Sequence, residues 1–420
     1  MGLFYSFSVL IIIATVFYYI NARYMKLPST IGIMVITMIF SIILVFIGKI
    51  DAKPLNDVYS LITHIDFSNL LMGGMLYFML FAGAIQVNIN DLREQKLPII
   101  IFSTLSVIIS TFAVGFGAYY TLNFLLPLAG IDMPISLIYC LLFGALISPT
   151  DPIAVLSILK QSKVSKSLEM EVTGESLFND GVAVITFTLI YNIAQGTEQP
   201  ENITLASISW LLVKEIFGAL LAGLILGKLA FHCMKSAEDY KLSVLMTISV
   251  VISGYMISQA MGISGPLTMV SAGLVIGNAS RRYSKANNVE NNDLKTFWEL
   301  TDEIMNAMLF LLIGFEILLI PSLDNYWLAG IICIVVVLLA RYVSIKIPTL
   351  VIPFREKFTR GTMIILVWGG LRGGVSIALA LSIGDTSHRN FIVAITYFVV
   401  VFSIVVQGLS IGKIANKLKY

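Results

Sequence analysis

Gly174-Glu175-Ser176-Leu177-Phe178-Asn179-Asp180-Gly181-Val182-Ala183-Val184 places two carboxylates, a hydroxyl and a carboxamide at the head of an apolar run, 182–193, that carries no charge. A charged side chain at bilayer depth costs roughly 2.5–3.5 kcal/mol on insertion scales. Two such groups on one helix point to an ion path or a proton relay. The rest of the chain reads as what is needed to hold this helix and complete its site.

Of 420 residues, 57% are hydrophobic and only 12% are charged. Soluble domains carry about 25% charged residues. With a mean hydropathy of +0.90 and repeated long apolar runs, the sequence describes an all-α polytopic membrane protein. The longest hydrophilic gap, 280–301, is too short for a soluble domain. Cys140, Cys233 and Cys333 lie in or beside apolar runs without pairing or metal spacing, so they read as small apolar packers. The N-terminus lacks a basic leader and a cleavage site, and 3–20 reads as a retained span.

Windows of about 20 apolar residues give thirteen spans: 3–20, 29–49, 67–87, 98–125, 134–157, 172–194, 204–231, 242–260, 264–279, 302–321, 327–350, 361–383 and 391–409. The join at 261–264 is the least distinct. Loops after odd-numbered spans and the C-terminal tail carry nineteen Lys and Arg, from Arg23 to Lys419. The opposite side carries three: Lys49, Lys53 and Arg389. The positive-inside rule puts the N-terminus outside and the C-terminus in the cytoplasm.

Two spans are interrupted. The fifth contains Ser148-Pro149-Thr150-Asp151-Pro152, where two prolines remove backbone donors and clash with preceding carbonyls. The twelfth contains Trp368-Gly369-Gly370-Leu371-Arg372-Gly373-Gly374, where four glycines weaken the helix around an arginine. Seven spans apart, the two run in opposite directions. Paired interruptions in inverted halves are the sequence mark of a secondary-transporter site, with freed carbonyls and half-helix ends facing an ion. The inverted repeat is read here from topology, not from residue-level similarity.

Glu175 and Asn179 share one helical stripe, and Ser176 and Asp180 the next, so all four can border one cavity. Hard cations take oxygen ligands. The oxygens on offer are Asp180, Glu175, Asp151, Thr150, Ser176 and nearby carbonyls. No nitrogen or sulfur cluster suggests a transition metal. Asp180 is the carboxylate expected to hold either a proton or a cation, never both. Asp151 also suits an N-cap before Pro152. Arg372 is expected to pair with Glu175, because an unpaired guanidinium at depth is costly. Arg341 and Glu316 are further buried charges whose expected role is structural pairing.

These three linked motifs resemble the monovalent cation:proton antiporter family, the bacterial NhaP-like and eukaryotic sodium/proton exchanger group. The resemblance implies thirteen helices with two unwound helices that cross, a six-helix core, a dimerisation domain, a homodimer and elevator-like alternation of access. We assign 67–194 and 302–409 to the core and 1–49 and 204–279 to the dimerisation scaffold. It implies that Asp180 carries a monovalent cation (Na⁺, with Li⁺ or K⁺ as alternatives) or H⁺, with Asp151, Thr150, Glu175 and Ser176 completing the cation site. Asn179-Asp180 matches the pair that goes with electroneutral exchange, and Glu175 with Arg372 matches a buried ion pair. The short tail after the last span suggests a bacterial-type plasma membrane.

Other classes fit less well. No GxSxG serine, HExxH helix or nucleotide-binding loop is present, so neither an intramembrane enzyme nor a cofactor is indicated. No nucleic-acid partner is expected; the net charge of +2 does not bear on this, and what matters is where the positive charges lie. A sodium-coupled symporter of a small organic anion is the competing transporter, and it would need basic anchors in a roomy cavity.

Overall fold

The computed structural model describes residues 3–64, 66–125, 127, 134–152, 155–156, 164–196, 205–237, 239–287, 293–320, 323–354, 358–384 and 388–417. The second half of the expected fifth span (153–154 and 157) lies outside the described residues. So do Lys160, Lys163, Arg355, Lys357 and Lys419 from the charge count.

Each expected span is met by helix. The sixth is the long helix Lys166–Gln195, where the Ser165 side chain accepts from the Leu168 N–H at its start and Gly196 closes it at φ 65°. Lys96–Leu125 and Ser209–Ser236 are likewise long enough to cross a bilayer with turns to spare. The doubtful join resolves into two helices, Tyr240–Met261 and one starting at Gly265. Gly262 separates them at φ 59°, a left-handed conformation that glycine adopts without a Cβ clash.

The interruptions are real breaks. The fifth span is helical over Leu137–Ile147 and then leaves the helix through Ser148 to Pro152. The twelfth is two half-helices, Arg360–Trp368 and Gly374–Leu381. Among the described residues, the short α-helices Ala52–Thr63 and Ile89–Glu94 fall outside the expected spans. Ala52–Thr63, capped by Asp51, is amphipathic and too short to cross a bilayer.

Packing sorts the spans into two groups. The fourth, fifth and sixth pack on each other and on the eleventh, twelfth and thirteenth. The first three pack instead with the seventh to tenth. The third and tenth spans, expected with the core, therefore lie in the other group. Small residues explain why. A Cβ on Gly277 of the ninth span would sit 2.1 Å from the Ile85 carbonyl of the third, so these backbones touch. Likewise a Cβ on Gly314 of the tenth would sit 2.5 Å from Thr37 Cβ of the second, and Ser41 donates to the Gly314 carbonyl at 3.3 Å. The two groups meet along a thinner seam, sixth span against ninth and twelfth against third.

Candidate ion-binding site

Where the two interrupted spans cross, their backbones bond directly: the Asp151 N–H donates to the Leu371 carbonyl at 2.7 Å. Gly373 allows this approach, because a Cβ there would meet Asp151 Oδ2 at 2.3 Å. The sixth helix braces the same crossing. Ser176 Oγ donates to the Thr150 carbonyl, and Asn179 Nδ2 donates to Thr150 Oγ1 at 2.8 Å. Thr150 thus ties the unwound part of the fifth span to both stripes of the sixth.

The two stripes face different ways. Ser176 and Asp180 border a cavity of about 480 Å³ together with Thr150 and Asp151. Glu175 and Asn179 are not in its lining; they are 2% and 0% exposed and point into the packed core. The expectation that all four border one cavity is corrected here. Adjacent positions on a helix diverge by about 100°, so neighbouring stripes part when only one faces an opening.

The ion pair differs from expectation as well. Glu175 Oε1 accepts from Arg341 Nη1 at 2.6 Å, with both side chains buried. Arg341 on the eleventh span, not Arg372, is the partner. Arg341 also donates from Nη2 to the Leu366 carbonyl at 3.0 Å, near the C-terminal end of the first half of the twelfth span. Arg372 does the equivalent for the fifth span. Its Nη1 donates to the Ser148 and Pro149 carbonyls at 2.7 and 3.0 Å, just past the end of Leu137–Ile147. A guanidinium at a helix C-terminus satisfies orphan carbonyls and meets the negative end of the dipole. Each interrupted span therefore has its own arginine cap. The pairing expected for Arg341 is found, and Glu316 is buried within electrostatic reach of Arg389.

The carbonyls at the breaks were expected to face an ion. Those of Ser148, Pro149, Thr150 and Leu371 each already accept a hydrogen bond from the protein. Buried backbone groups find partners wherever one is within reach, which leaves side-chain oxygens as the freer donors to a cation.

Sequence reasoning passed over one group of residues. Lys295, Glu299, Asp302 and Glu303 of the tenth span line the same cavity, as do Glu169, Gln86 and Ser376. Asn306 Nδ2 donates to Asp302 Oδ1 at 3.0 Å. The signal was present in the three- and four-residue spacing of Glu299, Asp302, Glu303 and Asn306. It was hidden because the span was drawn to begin at 302, whereas the helix begins at Asp293.

Residues 11–417 match the family model described as "Sodium/hydrogen exchanger, transmembrane". Over 413 residues the chain is 42% identical to the Na(+)/H(+) antiporter NhaP of Pseudomonas aeruginosa, covering 97% of this chain and 95% of that protein. It is 28% identical over 399 residues to the Na(+)/H(+) antiporter NhaH of Halobacillus dabanensis, covering 94% and 93%. The solved structure of the sodium proton antiporter MjNhaP1 from Methanocaldococcus jannaschii at pH 8 matches with a TM-score of 0.73 at 17% identity, over 100% of this chain and 99% of that one, which is a likeness of fold.

Proposed function

Because this chain belongs to the sodium/hydrogen exchanger family of membrane transporters, we propose that it exchanges Na⁺ for H⁺ across the membrane, with Asp180 holding one or the other in turn. The observation that carries this reading is the placement of Asp180. It is half-buried at bilayer depth, yet it lines a cavity shared with Asp151, Thr150 and Ser176. Two carboxylates facing one cavity repel each other when both are ionised, so the site favours taking up one positive charge, as a proton or as a small hard cation with oxygen ligands. Asp180, Asp151, Thr150 and Ser176 form the proposed cation site. Glu175 is left out of it, because its carboxylate is held by Arg341 outside the cavity lining.

Exchange is proposed to be one-for-one. The residue before Asp180 is a neutral amide whose Nδ2 is committed to Thr150, so the position adjoining it on the sixth helix adds no second titrating carboxylate. The mouth of the cavity is lined by Glu169, Gln86, Lys295 and Glu299. These lie beside the loops rich in Lys and Arg. With the N-terminus outside and the C-terminus in the cytoplasm, the cavity opens inward. The group formed by the fourth to sixth and eleventh to thirteenth spans is the proposed moving core. The other group is the proposed scaffold, which serves a homodimer in the plasma membrane. A symporter of an organic anion would need cationic anchors at depth. Among the described lining residues the lysine is Lys295, 3.4 Å from Glu299 at the mouth.

Proteoliposomes with a pH-sensitive dye and a clamped membrane potential test this. Added Na⁺ should move protons at a rate indifferent to the potential, and Asp180→Asn should abolish the signal while the purified protein keeps its folded elution profile. Full activity in Asp180→Asn would remove the assignment.

A further inference from the structure

We infer that Ser376, on the second half of the twelfth span, supplies a hydroxyl oxygen to the transported cation. This rests on the exchange reading above and adds a ligand to it from the opposite interrupted helix. Ser376 is 1% exposed and lines the cavity that holds Asp180, Asp151, Thr150 and Ser176. Its Oγ is buried and has no hydrogen-bond partner among the described residues. A serine deep in a helix ordinarily donates back to the carbonyl four residues earlier, but Ser376 is the third residue of Gly374–Leu381, and the carbonyl at that spacing belongs to Arg372, before the helix begins. Many serines and threonines elsewhere in this chain make that bond, including Ser148, Thr111, Thr186 and Thr396. A buried hydroxyl left unbonded calls for a ligand-related or structural reason.

The surrounding oxygens make the case stronger. Glu175 is held by Arg341, the Thr150 carbonyl accepts from Ser176, and Thr150 Oγ1 accepts from Asn179. The Leu371 carbonyl is taken by the Asp151 N–H. A hard cation entering beside Asp180 needs oxygens that are not already engaged, and Ser376 Oγ is one. Gly373, three residues before it, packs directly against Asp151, so both residues border the same cavity at the break. The start of Gly374–Leu381 carries the partial positive charge of a helix N-terminus. Asp151, packed against Gly373, offsets that charge and keeps the position hospitable to a cation.

The test compares wild type, Ser376→Ala and Ser376→Cys in proteoliposomes, reading proton flux against Na⁺ concentration. Cysteine keeps nearly the same volume but replaces the hard oxygen with soft sulfur. Both variants should raise the Na⁺ concentration for half-maximal flux about tenfold, the loss of one good contact, with a much smaller effect on the saturating rate. Na⁺-dependent thermal stabilisation of the purified protein should shift in parallel. If either variant keeps the wild-type half-saturating Na⁺, or loses rate without moving it, Ser376 is not a ligand. Absence of Na⁺-driven flux in the wild type would instead sink the exchange reading itself.

Discussion

Replacing Arg341 with methionine would leave the Glu175 carboxylate buried and unpaired, and would uncap the Leu366 carbonyl. Removing one partner of a buried pair typically costs about 3–5 kcal/mol. The purified Arg341→Met protein should therefore show a lower thermal midpoint than wild type. Glu175→Gln added to it should recover part of the loss, because the orphaned charge is gone. A wild-type midpoint in the single variant would mean that the pair contributes nothing to stability. At this scale the sequence was legible for Asp180, Asp151, Thr150, Ser176 and Asn179, since motif and spacing put them at the break. It was not legible for the partner of Glu175. Arg341 and Arg372 are equally deep in their spans, and which one reaches the carboxylate depends on how helices from distant parts of the chain lie against each other. Ser376 was missed for a related reason: a serine in an apolar helix attracts notice only when its hydroxyl is seen to lack a partner.

The glycines of the twelfth span belong to the scale of the element. Gly373 has ordinary backbone angles, so its value lies in the absence of a side chain. Gly373→Ala places a methyl where Asp151 Oδ2 now lies, at 2.3 Å. The two interrupted segments would have to separate, and the Asp151–Leu371 backbone bond would stretch. Exchange in proteoliposomes should fall severely while the protein still inserts and purifies, and near-normal flux would show that the crossing tolerates separation. Hydropathy found every spanning helix because twenty apolar residues leave few alternatives in a bilayer. It missed Ala52–Thr63, whose alternating polar and apolar faces lower the mean hydropathy. It also started the tenth span too late, because the helix extends past the hydrocarbon from Asp293.

At the scale of the whole molecule, the seam between the two packing groups is where relative motion would occur. Gly83 of the third span and Leu177 of the sixth face each other across it, with a Cβ on Gly83 falling 3.7 Å from Leu177 Cδ1. Cysteines at both positions, joined by a short reducible bis-methanethiosulfonate crosslinker, should stop exchange, and reduction should restore it, while each single variant stays active. Undiminished flux in the crosslinked protein would rule out sliding at this seam. The grouping was not legible in the sequence, where chain order suggested placing the third and tenth spans with the core. Helix association in a membrane follows small-residue faces, and the face that seats the third span belongs to the ninth, far away in the chain.

The two arginine caps bear on that motion. Arg341, Glu175 and Leu366 all lie in one group, as do Arg372, Ser148 and Pro149. Neither the buried guanidinium–carboxylate contact nor either cap straddles the boundary. If the groups slide, these ions ride as cargo inside one rigid body, and none of them has to be rehydrated or re-paired midway. The electrical work of a transport cycle then falls on the groups open to the cavity, and the barrier to translocation is set by apolar surfaces shearing past one another.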